Sequence, residues 1–172
     1  MLFKTLGDKS APAVLFFHAM GVTGESSGSV AAELADRFFC IMPTSTVYCA
    51  GQTYAGKADE VRQIKEFLRG QGVERVEMVV AAGKALSYGN IRRQMADSLE
   101  DKPFPPLSKE LQKRCFFEFG SAEDHFKYRA AVMQAYPAGN FPVFDGYNHM
   151  QYQIRDPKGF AAMMELPFLQ KE

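Results

Sequence analysis

Three short stretches hold residues whose types and spacing suit acyl-transfer chemistry. The first, residues 14–21 (VLFFHAMG), is an apolar run that breaks into a loop carrying Gly21, Gly24 and Gly28 ahead of a helical segment. Glycines at such a break let main-chain N–H groups face an open crevice. Unpaired amides at a strand end and a helix start favour an oxyanion or a phosphate. The same spacing also serves a tight strand-to-helix connection that binds nothing. The second stretch, residues 141–152 (FPVFDGYNHMQY), carries His149 beyond an apolar run and a turn at Asp145-Gly-Tyr-Asn. An imidazole on such a loop acts as a general base when a carboxylate holds it, and otherwise hydrogen-bonds within its loop. The third, residues 115–126 (CFFEFGSAEDHF), ends its apolar run at Gly120 and then offers Glu123 and Asp124. Either carboxylate can orient His149, and either can instead cap a helix by complementing its dipole.

A scaffold must bring these loops together, and the hydrophobic pattern describes one. Short runs rich in Val, Phe and Ile alternate with segments of helical period, as in a parallel sheet covered by helices. Strands are predicted over 14–18, 38–42, 76–81, 115–119 and 141–144, with an edge strand over 2–6. Each of the five main runs is apolar on both faces of the pleat, which favours central parallel strands. Helices are predicted over 29–37, 59–69 and 123–136, and a last one opens with Asp156 as cap and Pro157 in its first turn. Pro137 and Pro167 mark where the last two should stop. The fold class is therefore α/β, with a mostly parallel central sheet and helices on both faces, in a single domain over 1–172 without a separate lid domain.

Composition narrows the partners. With 172 residues and 47% hydrophobic side chains the chain can bury a full core. Its 20 basic residues balance 20 acidic ones, so no long-range field gathers nucleic acid or an anionic membrane. A neutral small molecule or a protein is the expected partner. The apolar runs are too short to span a bilayer and the start has no signal-peptide pattern, so a cytoplasmic location is expected. Cys40, Cys49 and Cys115 show no paired spacing, which argues against disulfides and zinc. His18, His125 and His149 lie on separate segments, and no metal is expected. Gly83-Lys84 fails as a phosphate loop, because Met78 and Ala85 replace required residues.

Taken in order, the three stretches resemble the α/β-hydrolase family. There a strand ends in His-Gly-x-x, a Gly-x-Ser-x-Gly elbow follows a later strand, and an acid and a histidine follow two further strands. His18-Ala19-Met20-Gly21 matches the first element with Ala19 at the usual glycine, Asp124 or Glu123 matches the acid, and His149 matches the base. In the middle, AAGKALSYGN over 81–90 permits two registers: Gly83 stands at the nucleophile if the elbow follows the strand directly, and Ser87 if extra residues intervene.

The resemblance implies a small carboxylesterase-like serine hydrolase acting on an ester or acyl compound without a cofactor. Ser87 would be the nucleophile, His149 the base, Asp124 the acid with Glu123 as its alternative, and the amides of Met20 and Tyr88 the oxyanion hole. Two other readings stand beside it: a catalytically inactive binding protein of the same fold, and a flavodoxin-like phosphate or flavin binder using residues 21–27. Residues 101–114 are too few for both a strand and a lid, so a truncated member is expected. Its uncovered apolar surface would favour a homodimer.

Overall fold

The computed structural model describes residues 1–18, 21–81 and 106–169. The chain divides into two compact units, Met1–Asp101 and Lys102–Glu172.

In the first unit, β1 (Leu2–Leu6), β2 (Ala13–Phe17), β3 (Phe39–Thr44) and β4 (Val76–Ala81) form one sheet in the order β1-β3-β2-β4. β2 runs parallel to both β3 and β4, and β1 closes one edge antiparallel to β3. Alternation along the strands turns Ala13, Leu15, Phe39 and Ile41 to one face. There they meet Ile64 of α2 (Lys57–Gly70), with Phe67 and Leu68 packed around them. Val14, Phe16, Cys40 and Met42 face the other way and are buried as well. Each large apolar side chain so buried contributes roughly 1.5–3 kcal/mol. All six residues of β3 are buried, whereas Val79 of β4 is exposed. The chain leaves β2 through a glycine loop and a 3-10 turn, Gly24–Ser27, before α1 (Gly28–Leu34). α2 follows the macrodipole rule, with Asp59 and Glu60 in its first turn and Arg69 in its last.

In the second unit, α3 (Lys109–Gln112) starts at Ser108, whose hydroxyl accepts the N–H of Leu111. Next come β5 (Phe119–Gly120), a 3-10 turn (Asp124–Tyr128), α4 (Arg129–Ala135), β6 (Val143–Phe144), α5 (Gln151–Arg155) and α6 (Pro157–Leu169). β5 and β6 pair in parallel through Phe119–Val143 and Gly120–Phe144, with an isolated bridge from Phe116 to Asn140. Aromatic stacks bind these short strands to the helices: Phe117 on Tyr136, and Phe144 on Tyr152 of α5 at 3.7 Å between ring centroids. Asp156 caps α6 as predicted, its Oδ1 accepting the N–H of Gly159.

Several boundaries differ from those predicted. The strands expected over 115–119 and 141–144 shrink to two residues each, and Pro142, lacking an N–H, cannot donate to a ladder. The segment 123–136 opens as a 3-10 turn and becomes α-helical only at Arg129. Pro167 does not stop the last helix, which runs to Leu169; a proline in a final turn has little helix left to break. α5 was not anticipated.

Candidate active site

The parallel pairing of β5 with β6 brings two loop starts side by side, and the loops then bind one another. Ser121 donates its N–H to the Phe144 carbonyl and Ala122 to the Tyr147 carbonyl. The Ser121 hydroxyl donates to Asp145 Oδ1 and accepts the N–H of Gly146, each at 2.8 Å. The approach is so close that a Cβ on Gly120 would run into the Tyr147 carbonyl. Glycine is required at 120 for space and at 146 for a φ of 73°.

This framework carries an acid–base pair. Glu123 folds its carboxylate back over the turn, where Oε1 accepts the Gly120 N–H at 3.2 Å. Oε2 lies 2.6 Å from His149 Nδ1. The Glu123 side chain is only 4% exposed while that of His149 is 49% exposed, so a sheltered carboxylate holds an imidazole that still reaches solvent. Asn148 helps to set the loop, its Oδ1 accepting the His149 N–H at 2.7 Å. The next residue, Met150, has a φ of 58°, the single non-glycine in the left-handed region among the described residues. Such strain costs on the order of 1–3 kcal/mol and persists only where its surroundings enforce it.

The preference for Asp124 over Glu123 as the carboxylate on His149 is therefore reversed. Glu123 lies inside the turn that follows β5, and its longer side chain spans to the imidazole. Asp124 is exposed and opens the 3-10 turn, where an acid in the first turn complements the dipole.

In the first unit, the loop after β2 is held by the segment that follows β3. His18 Nε2 accepts the Ser45 N–H at 3.0 Å, so its proton sits on Nδ1 and this histidine serves the main chain. Gly21, with a φ of 81°, donates its N–H to the Tyr48 hydroxyl at 3.0 Å. Gly24 donates to Thr44 Oγ1 at 3.0 Å and approaches β3 so closely that a Cβ would stand 2.7 Å from the Met42 carbonyl. Behind these contacts stands Glu60 of α2. Its Oε1 accepts the Ser45 hydroxyl at 2.6 Å and the Thr46 N–H and hydroxyl at 2.8 Å each. Ser45, Thr46, Tyr48 and Glu60 were missed by the sequence reading. A Ser-Thr pair at a strand end signals a turn but not the acid, encoded further along, that completes it.

Met20, Gly83, Ser87 and Tyr88, named from the sequence as oxyanion-hole or nucleophile positions, lie outside the described residues. Burial pushes the Cys40 thiol up to about 12, which makes it unreactive. Among the described residues no group of three or more His, Cys, Asp or Glu could hold a metal ion. No helix among them is long and apolar enough to cross a membrane.

No family model and no curated protein matches the chain. Solved structures do. A marine microorganism esterase matches with a TM-score of 0.64 and 13% identity, over 97% of this chain and 98% of that one. Carboxylesterase CesB from Bacillus subtilis matches with a TM-score of 0.64 and 12% identity, over 99% and 87%. A hydrolase from Pseudomonas aeruginosa matches with a TM-score of 0.65 and 11% identity, over 98% and 93%. The chain thus has the α/β-hydrolase fold, with a mixed, mostly parallel sheet, as its motif order implied.

Proposed function

We propose that the chain is a hydrolase of the α/β type that cleaves small carboxylic esters or related acyl compounds through a serine nucleophile. The observation that carries this reading is the Glu123–His149 pair, a buried carboxylate 2.6 Å from the imidazole of a half-exposed histidine, on the two loops that follow β5 and β6. With Nδ1 engaged by Glu123, proton transfer falls to Nε2. In the proposed reaction Ser87 Oγ attacks the acyl carbon and passes its proton to His149. The Glu123 carboxylate stabilises the imidazolium, and the amides of Met20 and Tyr88 receive the oxyanion. The alcohol then leaves with the proton from His149. Water, activated by the same imidazole, attacks the acyl-serine and releases the acid, restoring Ser87.

A fluorophosphonate probe tests this directly. The expected result is a covalent label and turnover of p-nitrophenyl acetate, both lost in Ser87→Ala. Absence of label and turnover in the unaltered chain would remove the esterase reading. A second reading, a binding protein of the same fold, draws on the end of β4 at Ala81, because Gly83 follows that end by two residues and Ser87 by six. It predicts that Ser87→Ala changes no measurable activity.

A further inference from the structure

The loops after β5 and β6 carry Glu123 and His149, and the hydrogen bonds that join them ahead of that pair converge on one side chain. The chain leaves β6 through a turn at 144–147, closed by the Tyr147 N–H on the Phe144 carbonyl at 3.3 Å. Gly146 takes a φ of 73°, the positive φ that a type II turn requires of its third residue. Ser121 bonds three of the four turn residues. Its N–H donates to the Phe144 carbonyl at 3.0 Å, its hydroxyl donates to Asp145 Oδ1 at 2.8 Å, and the same oxygen accepts the Gly146 N–H at 2.8 Å. The fourth, Tyr147, accepts the Ala122 N–H on its carbonyl at 3.1 Å.

The turn gains little from packing or from the sheet. A Cβ built on Gly146 would touch nothing within 4 Å, and β6 supplies only two residues of strand behind it. Beyond the turn the chain passes through Asn148 to His149, whose N–H the Asn148 Oδ1 accepts. Glu123 is set by the other loop, with Oε1 on the Gly120 N–H. A carboxylate fixed on one loop and an imidazole carried on the other stay at 2.6 Å only while the two loops keep their register. The Ser121 hydroxyl, with one bond to each central residue of the turn, is placed to keep it.

We propose that Ser121 is a positioning residue: its hydroxyl locks the turn at 144–147 to the loop bearing Glu123 and so holds the His149 imidazole on that carboxylate, with the ring proton on Nδ1. The geometry of the pair carries this, and its consequence for catalysis rests on the hydrolase reading above. Ser121 supplies neither charge nor proton to the reaction. It acts through the turn, because a carboxylate serves an imidazole only when it holds the ring in the right place and tautomer.

Ser121→Ala is the informative variant, since it removes both hydroxyl bonds and leaves the main-chain bonds of Ser121 and Ala122 in place. Two readouts are taken: steady-state hydrolysis of p-nitrophenyl acetate, and nitrogen NMR of the neutral His149 ring in the folded chain, which reports the nitrogen that holds the proton. The His149 signals are identified by their loss in His149→Gln. The expected result is a fall in kcat of about fivefold with KM within about twofold, and a fall of roughly fivefold in the ratio of Nδ1–H to Nε2–H forms, as loss of such hydrogen bonds allows. Asp145→Ala, which removes one of the two bonds at an exposed position, should give a smaller loss in each, and the double variant no more than Ser121→Ala alone. An unaltered ratio in Ser121→Ala would overturn the proposal even where kcat falls, because a merely structural loss leaves the ring proton in place. Unaltered kcat in an active enzyme, or additive losses in the double variant, would overturn it as well. If Ser121→Ala does not fold, Asp145→Ala decides by the same ratio. If the unaltered chain proves inactive toward esters, the hydrolase reading fails separately and the ratio decides: a fall supports the positioning, and no change overturns it.

Discussion

The loop after β2 and the loops after β5 and β6 occupy equivalent places, each following a strand, yet the chain secures them by opposite means. The first leaves a strand buried between two others, and Gly24 presses it against β3, whose six residues are all buried. The second pair leaves strands of two residues each, and loop-to-loop hydrogen bonds replace the missing ladder. At Gly24 the first loop is thus tied to the sheet, while the acid–base pair depends on its own turns. The proposed hydrolysis asks for both properties, because fixed dipoles must not move and a proton-carrying imidazole must.

The largest expected effect lies at the acid–base pair. Glu123→Gln should lower kcat/KM for p-nitrophenyl acetate by about a thousandfold, since the amide cannot stabilise an imidazolium and leaves Nδ1 with the wrong partner. Asp124→Asn should change it less than about twofold, because that exposed carboxylate holds no imidazole. Equal losses in the two variants would refute the assignment of Glu123.

A smaller effect separates the two means of support. Gly24→Ala drives a methyl against the Met42 carbonyl in a sheet that cannot yield, and a loss of about 3 kcal/mol is expected in urea unfolding. Gly120→Ala drives one still harder against the Tyr147 carbonyl, and a loss of about 3 kcal/mol is expected there too. Hydrolysis should separate the two, with the larger loss in Gly120→Ala, because displacing Tyr147 displaces His149 from Glu123. A Gly120→Ala loss well below that of Gly24→Ala would show that the second unit yields where the first does not.

The same contrast explains what was legible in the sequence. β1 and β4 were read with their observed bounds and β2 and β3 nearly so, because apolar runs buried on both faces are a direct imprint of a central sheet. β5 and β6 were read as longer than they are, since Phe117 and Phe141 supply the same apolar signal while stacking on each other outside the two strands. At the site, His149 and the two carboxylates were visible as residue types after strand ends. Which carboxylate faces the imidazole was not, because that depends on the Gly120 N–H folding Glu123 inward. The Tyr48–Gly21 tie joins residues with no shared period or motif, so nothing local announces it.

The smallest effect concerns a carboxyl just ahead of β5 rather than one within the pair. Alternation turns Phe117 and Phe119 to aromatic partners and sends Glu118 the other way, to a hydrogen bond with Gln153 of α5. Burial pushes this carboxyl up to about 8, with the Gln153 hydrogen bond opposing the rise. The folded chain therefore keeps a proton that the unfolded chain releases near 4.5. Between those values the unfolded state binds fewer protons, so the contribution of Glu118 is fully present below the lower value and is lost as pH rises through the upper one. Glu118→Gln mimics the protonated form and should match the unaltered chain near pH 4.5. By about pH 8.5 it should be more stable by about 1 kcal/mol, less than the whole shift implies because the carboxyl is only partly buried. Urea midpoints across that range give the comparison. A constant difference would mean that Glu118 ionises alike in both states, and Gln153 of α5 would then face a charged partner at neutral pH instead of a neutral one.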